Sequence, residues 1–205
     1  VRTTLNQIRD RVEFFYRYYP NPKEEEWFTL YSKEMYERFK VLNRVINYML
    51  RYSQSNPTPE EVDLKTTFEE ILNDYDDVFF REGILLQTDF PDKLVLNANR
   101  QFFRDILQNL IDNSVKAMTE SSQKVIRCSY EVQNEMLEIL VSDTGVGIPH
   151  EDWEQVFALY YTTTEKQGGA GVGLYIVKTR VQSLGGSVAV VDSEFGEVGT
   201  TIKIT

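Results

Sequence analysis

Side chains able to do chemistry together gather in a few short stretches of this chain. The first is Val141-Ser142-Asp143-Thr144-Gly145-Val146-Gly147-Ile148-Pro149, where an apolar strand pattern from Met136 to Val141 meets one carboxylate and then two glycines. A strand that ends on an acid and breaks into Gly-x-Gly delivers a side chain to a pocket floor. The glycines let the backbone take positive φ and let a ligand approach closely. Taken alone, the same pattern also suits a plain tight turn. The second stretch is the helical run 99–118, in which Asn109 and Asn113 are four residues apart and share a face, with Lys116 a turn further on and Asp112 beside them. Two carboxamides and an ammonium on one side can hold a hydrated Mg²⁺ and a polyphosphate, because Mg²⁺ keeps most of its waters and takes few oxygen ligands. A solvated helix face is the alternative. The third stretch, Gly168-Gly169-Ala170-Gly171-Val172-Gly173-Leu174, runs straight into a helical pattern. Its backbone N–H groups and those of the helix start make an anion site. No Gly-Lys-Ser/Thr follows, so it is not a Walker loop. No strand leads into it, so it is not a dinucleotide fingerprint. Thr200-Thr201 after Gly199 offers a hydroxyl beside such a pocket, or is an ordinary β-strand choice.

The elements that must position these groups can be read from periodicity. Residues 62–64 fit a short strand. A helix is expected over about 66–80, with Phe68, Ile71, Leu72 and Tyr75 on one side, followed by strands at 84–90 and 93–97 around Pro91-Asp92. The helix 99–118 leads to strands near 124–132 and 136–142. A long polar stretch spans 144–170, and a helix from about Gly171 to Leu184 stops at Gly185-Gly186. Strands at 186–193 and 199–205 close the chain. Ahead of all this, Leu5, Ile8, Val12, Phe15 and Tyr19 step by three and four, Pro20-Asn21-Pro22 interrupts, and Met35, Phe39, Leu42, Ile46 and Met49 repeat the seam. The expectation is an α+β protein with three parts. Residues 1–54 form a helical hairpin, 55–61 a Pro-containing linker, and 62–205 an α/β two-layer sandwich with a mixed, largely antiparallel sheet. A lone hairpin leaves its stripe half covered; two copies forming a four-helix bundle would bury it, so a homodimer is expected.

A net charge of −10 argues against a nucleic-acid-binding surface. The single cysteine, Cys128, precludes an internal disulfide and suits a reducing compartment. No apolar run approaches the roughly 18 residues needed to span a bilayer. The chain opens on Val1 within a helical pattern, which fits a piece of a longer protein, and any membrane attachment would lie outside these residues.

In sequence order there stand an Asn-x-x-x-Asn helix, an Asp-x-Gly-x-Gly strand end, a loop with Phe157, a Gly-x-Gly helix start and a terminal Gly-Thr-Thr. Over about 62–205 this resembles the ATP-binding domain shared by gyrase, heat-shock chaperones, histidine kinases and MutL. It is most similar to the catalytic domain of sensor histidine kinases. Gln108-Asn109-Leu110-Ile111-Asp112-Asn113-Ser114-Val115-Lys116-Ala117 is similar to their asparagine box. Val156-Phe157-Ala158-Leu159-Tyr160-Tyr161-Thr162-Thr163 stands where they have a phenylalanine box, with Tyr160 in place of the second Phe and no Pro before it. The resemblance implies ATP and Mg²⁺. Asp143 would accept the adenine amino group with Gly145, Gly147 and Ile148 around it, and Asn113 with Asn109 would hold Mg²⁺. Lys116 would meet the phosphates, Gly169, Ala170, Gly171, Val172, Gly173 and Leu174 would line the closing loop, and Thr201 would flank the pocket. Asn109 and Lys116 are the catalytic candidates. Thr164 stands where the family loop often has a basic residue, leaving Lys166 as the substitute.

Gyrase-like and chaperone relatives carry a water-activating Glu where this chain has Asn109, and an amide cannot take that proton. Transfer to a neutral imidazole needs no such base. Val1-Arg2-Thr3-Thr4-Leu5-Asn6-Gln7-Ile8 resembles the tail of the family's histidine box with Thr4 in its Pro position, which would put the phosphoacceptor immediately before Val1. The only histidine, His150, reads as an exposed loop residue. The expected activity is a cytoplasmic, ATP-dependent protein-histidine kinase core that relays phosphate to a response-regulator receiver domain. The rivals are a nucleotide-binding scaffold without transfer and an ATP-driven clamp of the chaperone or mismatch-repair class, against which Asn109 and the hairpin stand.

Overall fold

The computed structural model describes residues 59–91, 93–159, 161, 171–196 and 198–205, together with Tyr36 and Ile46, both helical. The chain divides into two compact units, Val1–Asn56 with Tyr160–Val172, and Pro57–Leu159 with Gly173–Thr205. Apart from Tyr36 and Ile46, the hairpin expected over 1–54 lies outside the described residues, as do the 55–58 part of the linker, Tyr160 and residues 162–170, Lys166, Gly169 and Ala170 among them. Among the described residues no helix is long and apolar enough to cross a membrane.

The second unit carries seven strands, four α-helices and two short 3₁₀ helices among its described residues. Strand β1 (Glu60–Asp63) leads into α1 (Leu64–Asn73), capped by the Asp63 carboxylate, which accepts from the Thr66 N–H at 3.2 Å. The single helix expected over 66–80 is broken. Asn73-Asp74, residues whose short side chains compete for backbone hydrogen bonds, close α1, and α2 (Asp76–Glu82) restarts after Tyr75. Strands β2 (Leu85–Asp89) and β3 (Val95–Ala98) follow, then α3 (Arg100–Ala117), β4 (Val125–Gln133), β5 (Met136–Asp143), α4 (Gly173–Ser183), β6 (Val188–Val191) and β7 (Thr200–Ile204). The strands around Pro91 do not pair with each other: β3 joins β1 in a two-stranded antiparallel sheet. β2 is the parallel edge of a five-stranded sheet ordered β2-β4-β5-β7-β6. Its other three pairings are antiparallel, which gives the mixed, largely antiparallel sheet expected.

Register decides what the sheet shows its helices. Cys128, Val141, Ile202 and Val190 form one cross-strand row, and Tyr130, Ile139 and Ile204 the next, and all are buried. Rows one residue away carry Arg127, Ser142 and Thr201, so the two faces separate into apolar and polar, as a period of two requires. The apolar face meets Phe102, Phe103, Ile106, Leu107, Leu110 and Ile111 of α3. Phe68 of α1 wedges between Phe103 and Tyr130, with ring centroids 6.1 and 5.6 Å away. Each such fully buried side chain contributes about 1.5–3 kcal/mol relative to exposure. Cys128 lies inside this layer, and burial pushes its thiol up to about 12, so it is a core residue and not a reactive one.

Candidate functional site

The row that ends the apolar face is Ile126, Asp143 and Thr200. Asp143 therefore points to the helix side while only 5% exposed, and a bare carboxylate there would be costly. Its oxygens are satisfied locally. Oδ1 accepts from the Gly145 N–H at 2.8 Å, and Oδ2 accepts from the Ser114 hydroxyl of α3 at 2.9 Å. Burial still raises its pKa above the ordinary carboxylate value. The hydrogen bonds from Gly145, Ser114 and the Thr200 backbone offset part of that shift.

Close packing of small residues fastens the turn after Asp143 to the end of α3. A Cβ on Gly145 would lie 2.6 Å from the Ala117 Cβ and 2.8 Å from Asp143 Oδ1. The Val146 N–H donates to the Ala117 carbonyl at 3.2 Å, and the Ser121 hydroxyl to the Thr144 carbonyl at 3.1 Å. Gly147 has a φ of 76° and Gly199 one of 85°, and a Cβ on Gly147 would lie 3.2 Å from the Gly199 carbonyl oxygen. A Cβ on Gly199 would fall onto the Asp143 carbonyl. Ile148 is half-buried and its carbonyl accepts from Trp153 Nε1 at 3.0 Å. His150 is exposed, its ring 4.5 Å from that of Trp153.

On α3, about a turn and a half before Ser114, the Asn109 amide is oriented by its own helix: Nδ2 donates to the Asp105 carbonyl at 2.6 Å. That bond identifies the nitrogen end and leaves Oδ1 as an acceptor on the far side. The start of α4 comes directly against it. A Cβ on Gly173 would sit 3.3 Å from Asn109 Oδ1 and 3.4 Å from both Asn113 amide atoms. The asparagine pair and the helix start, separate stretches in the sequence, thus come together at Gly173, where one added carbon would reach van der Waals contact. Lys116 is exposed and has no ion pair among the described residues. Leu174 is half-buried, Gly171 has a φ of 60° and Val172 is buried.

Thr201 does not join this group. Its hydroxyl donates to Ser142 Oγ at 3.0 Å and accepts from the Glu194 N–H at 3.1 Å, on the polar face. Thr200 is the residue in the Asp143 row. Sequence reasoning also passed over Ser114 and Asp105. A serine inside a helix otherwise strong in Leu and Ile is a mild misfit, and that misfit was the available signal for Ser114. A hard, oxygen-preferring divalent ion fits the donor set present, because the Asn109 oxygen faces away from its helix and amide oxygens suit Mg²⁺.

Comparison with known proteins adds a family to this geometry. Residues 98–205 match the family model described as "Histidine kinase-, DNA gyrase B-, and HSP90-like ATPase". The chain is 34% identical over 120 residues to the aerobic respiration control sensor protein ArcB of Escherichia coli (strain K12), covering 56% of this chain and 15% of that protein. It is 29% identical over an alignment of 212 residues to the sensor histidine kinase AruS of Pseudomonas aeruginosa, covering 98% of this chain and 21% of that one. The chain thus spans about a fifth or less of these two relatives. In fold it is similar to the catalytic domain of histidine kinase ThkA (TM-score 0.62, 22% identity, 71% of this chain and 94% of that chain). It is likewise similar to full-length ShkA in complex with AMPPNP (TM-score 0.66, 20% identity, 99% of this chain and 42% of that chain).

Proposed function

Because the chain belongs to the histidine kinase-, DNA gyrase B-, and HSP90-like ATPase family and its relatives are sensor histidine kinases, we propose that residues 62–205 bind ATP·Mg²⁺ for phosphoryl transfer to a protein histidine. The observation that carries this reading is the convergence of three groups on one side of the sheet. They are a buried carboxylate at a strand end, two amides on α3, and the glycine that opens α4 against them. Asp143 is a pure acceptor whose remaining lone pairs suit the amino group of adenine. The glycines of its turn leave room for a flat ring to approach. The N–H groups at the start of α4 and the Lys116 ammonium supply positive potential for the phosphates. Mg²⁺, held through the Asn109 and Asn113 oxygens, would neutralise phosphate charge when bound.

Asn109 also sets the reaction class. Its amide cannot take a proton from water, so this side chain positions and does not hydrolyse. The acceptor proposed is an imidazole nitrogen on the hairpin: a P–N bond forms, the bond to ADP breaks, and the imidazole proton leaves to solvent. The acceptor histidine just before Val1, the homodimer and relay to an aspartate of a response-regulator receiver domain belong to this proposal. They rest on the family and on the helical seam at residues 4–53. In ShkA the bound AMPPNP, an ATP analogue, supports the nucleotide reading.

The test is binding of ATP with and without Mg²⁺ to the parent and to Asp143→Ala, alongside labelled-ATP incubation of a chain extended before Val1. The expected results are binding lost in the variant, and acid-labile, base-stable phosphate on the extended parent. Undiminished ATP binding by Asp143→Ala would sink the site. Binding without phosphohistidine would favour the scaffold.

A further inference from the structure

Among its described residues the second unit buries one charge that the proposed reaction does not use. Arg180 of α4 is 3% exposed, set among the core residues Val177 and Val181. Its Nε and Nη2 both donate to Asp105 Oδ2 of α3, at 3.0 and 2.6 Å, and its guanidinium lies 4.4 Å over the Phe102 ring. The other carboxylate oxygen, Oδ1, accepts from Gln101 at 2.8 Å. An apolar residue would fill this position between two helices at no desolvation cost, and buried ion pairs seldom stabilise a fold more than well-packed apolar side chains would. What a guanidinium that holds one carboxylate oxygen through two N–H groups adds is direction: it resists sliding of one helix against the other, where an apolar ridge can slip.

The direction is used at the site. Asp105 stands one turn before Asn109, and its carbonyl is the group that accepts Asn109 Nδ2 at 2.6 Å. Arg180 stands two turns after Gly173, the residue that meets Asn109 and Asn113. The same two helices are therefore pinned at the pair and face each other at the site. We infer that Asp105 and Arg180 are positioning residues which set the gap between the Asn109 and Asn113 amides and the start of α4, and with it the affinity for Mg²⁺-bound nucleotide. This rests on the nucleotide reading above.

The test uses the whole chain and the double variant Asp105→Leu/Arg180→Met, with titration of ATP in Mg²⁺, titration of ATP in EDTA, and thermal melting. A pair that served only to hold the fold together would move melting and binding together, or neither. Positioning predicts melting at or above the parent. It also predicts an ATP·Mg²⁺ affinity lower by about tenfold or more, with a smaller loss in EDTA. Equal affinity in parent and variant overturns the inference. Should the double variant not fold, Arg180→Lys decides, since it keeps charge and aliphatic stem but lacks the fork. Reduced ATP·Mg²⁺ affinity near parental melting supports the inference, and unchanged affinity overturns it. Failure of the nucleotide reading itself shows separately, as a parent that binds no ATP·Mg²⁺, and this inference falls with it.

Discussion

Gly173→Ala separates stability from binding at one carbon atom. Gly173 opens α4 and is not among the positive-φ glycines, so an alanine can take its backbone conformation. Removing a glycine at such a position raises stability by about 0.4–1 kcal/mol, because the unfolded chain loses freedom. Against this stands the new methyl, 3.3 Å from Asn109 Oδ1 and 3.4 Å from Asn113. Those distances are tight by a few tenths of an ångström, and amide side chains can yield by that amount, so the gain should survive at least in part. Binding should move the other way. The methyl occupies the space between the asparagine oxygens and the helix start, which the proposed phosphate–metal group needs. Losing one charge-assisted hydrogen bond there costs about 1.5–3 kcal/mol, or roughly 10- to 150-fold in affinity. Denaturant unfolding and calorimetric titration with ATP·Mg²⁺ read the two effects on the same preparation. A variant as stable as the parent that binds nucleotide equally well would refute the placement of the phosphates. A large loss of stability would refute the claim that the Asn109 and Asn113 side chains can yield to the methyl.

Three further outcomes follow from the Asp143 turn and from the end of α4. Because burial raises the Asp143 pKa above its ordinary 3.8, the native state holds that proton more tightly than the unfolded chain does. Its contribution to stability is complete below pH 3.8 and is lost as pH rises through the native pKa. Asp143→Asn, nearly isosteric and uncharged, should therefore melt above the nucleotide-free parent at pH 7. The advantage should shrink on acidification, and equal melting temperatures at pH 7 would contradict the assigned desolvation. Gly145→Ala and Gly185→Ala should both destabilise, for different reasons. The first drives a methyl into Ala117 and Asp143, an overpacking cost of about 1–3 kcal/mol that also disturbs nucleotide binding. The second puts a side chain at a φ of 81° in open space, costs about 1–2 kcal/mol and leaves binding intact, with Asn at 185 recovering part of the loss.

What could be read from the sequence divides by distance along the chain. The Asp143 turn, the Asn109–Asn113 face and the helix that Gly185-Gly186 ends are local patterns, and each stands in the structure within a few residues of its expected place. The choice between Thr200 and Thr201 is not local. One residue of register on β7 sends a hydroxyl to the Asp143 row or to the polar face, and that register is set by pairing with β5. Nor is the break at Asp74, where Tyr75 turns away from the α1 pattern: its hydroxyl donates to Asp112 at 3.0 Å, and that partner lies on α3. Arg180 is the extreme case. Helical periodicity puts it among Val177 and Val181 as a misfit, and its justification, Asp105, lies 75 residues away. The same division runs through the chemistry. The groups proposed to touch nucleotide come from short motifs, whereas Ser114 beside Asp143 and the Asp105–Arg180 pair behind Asn109 reach the site only through folding. A motif can therefore identify the reaction class while leaving its strength unspecified. That strength depends on how long-range pairs hold a carboxylate, two amides and a helix start in fixed positions relative to one another.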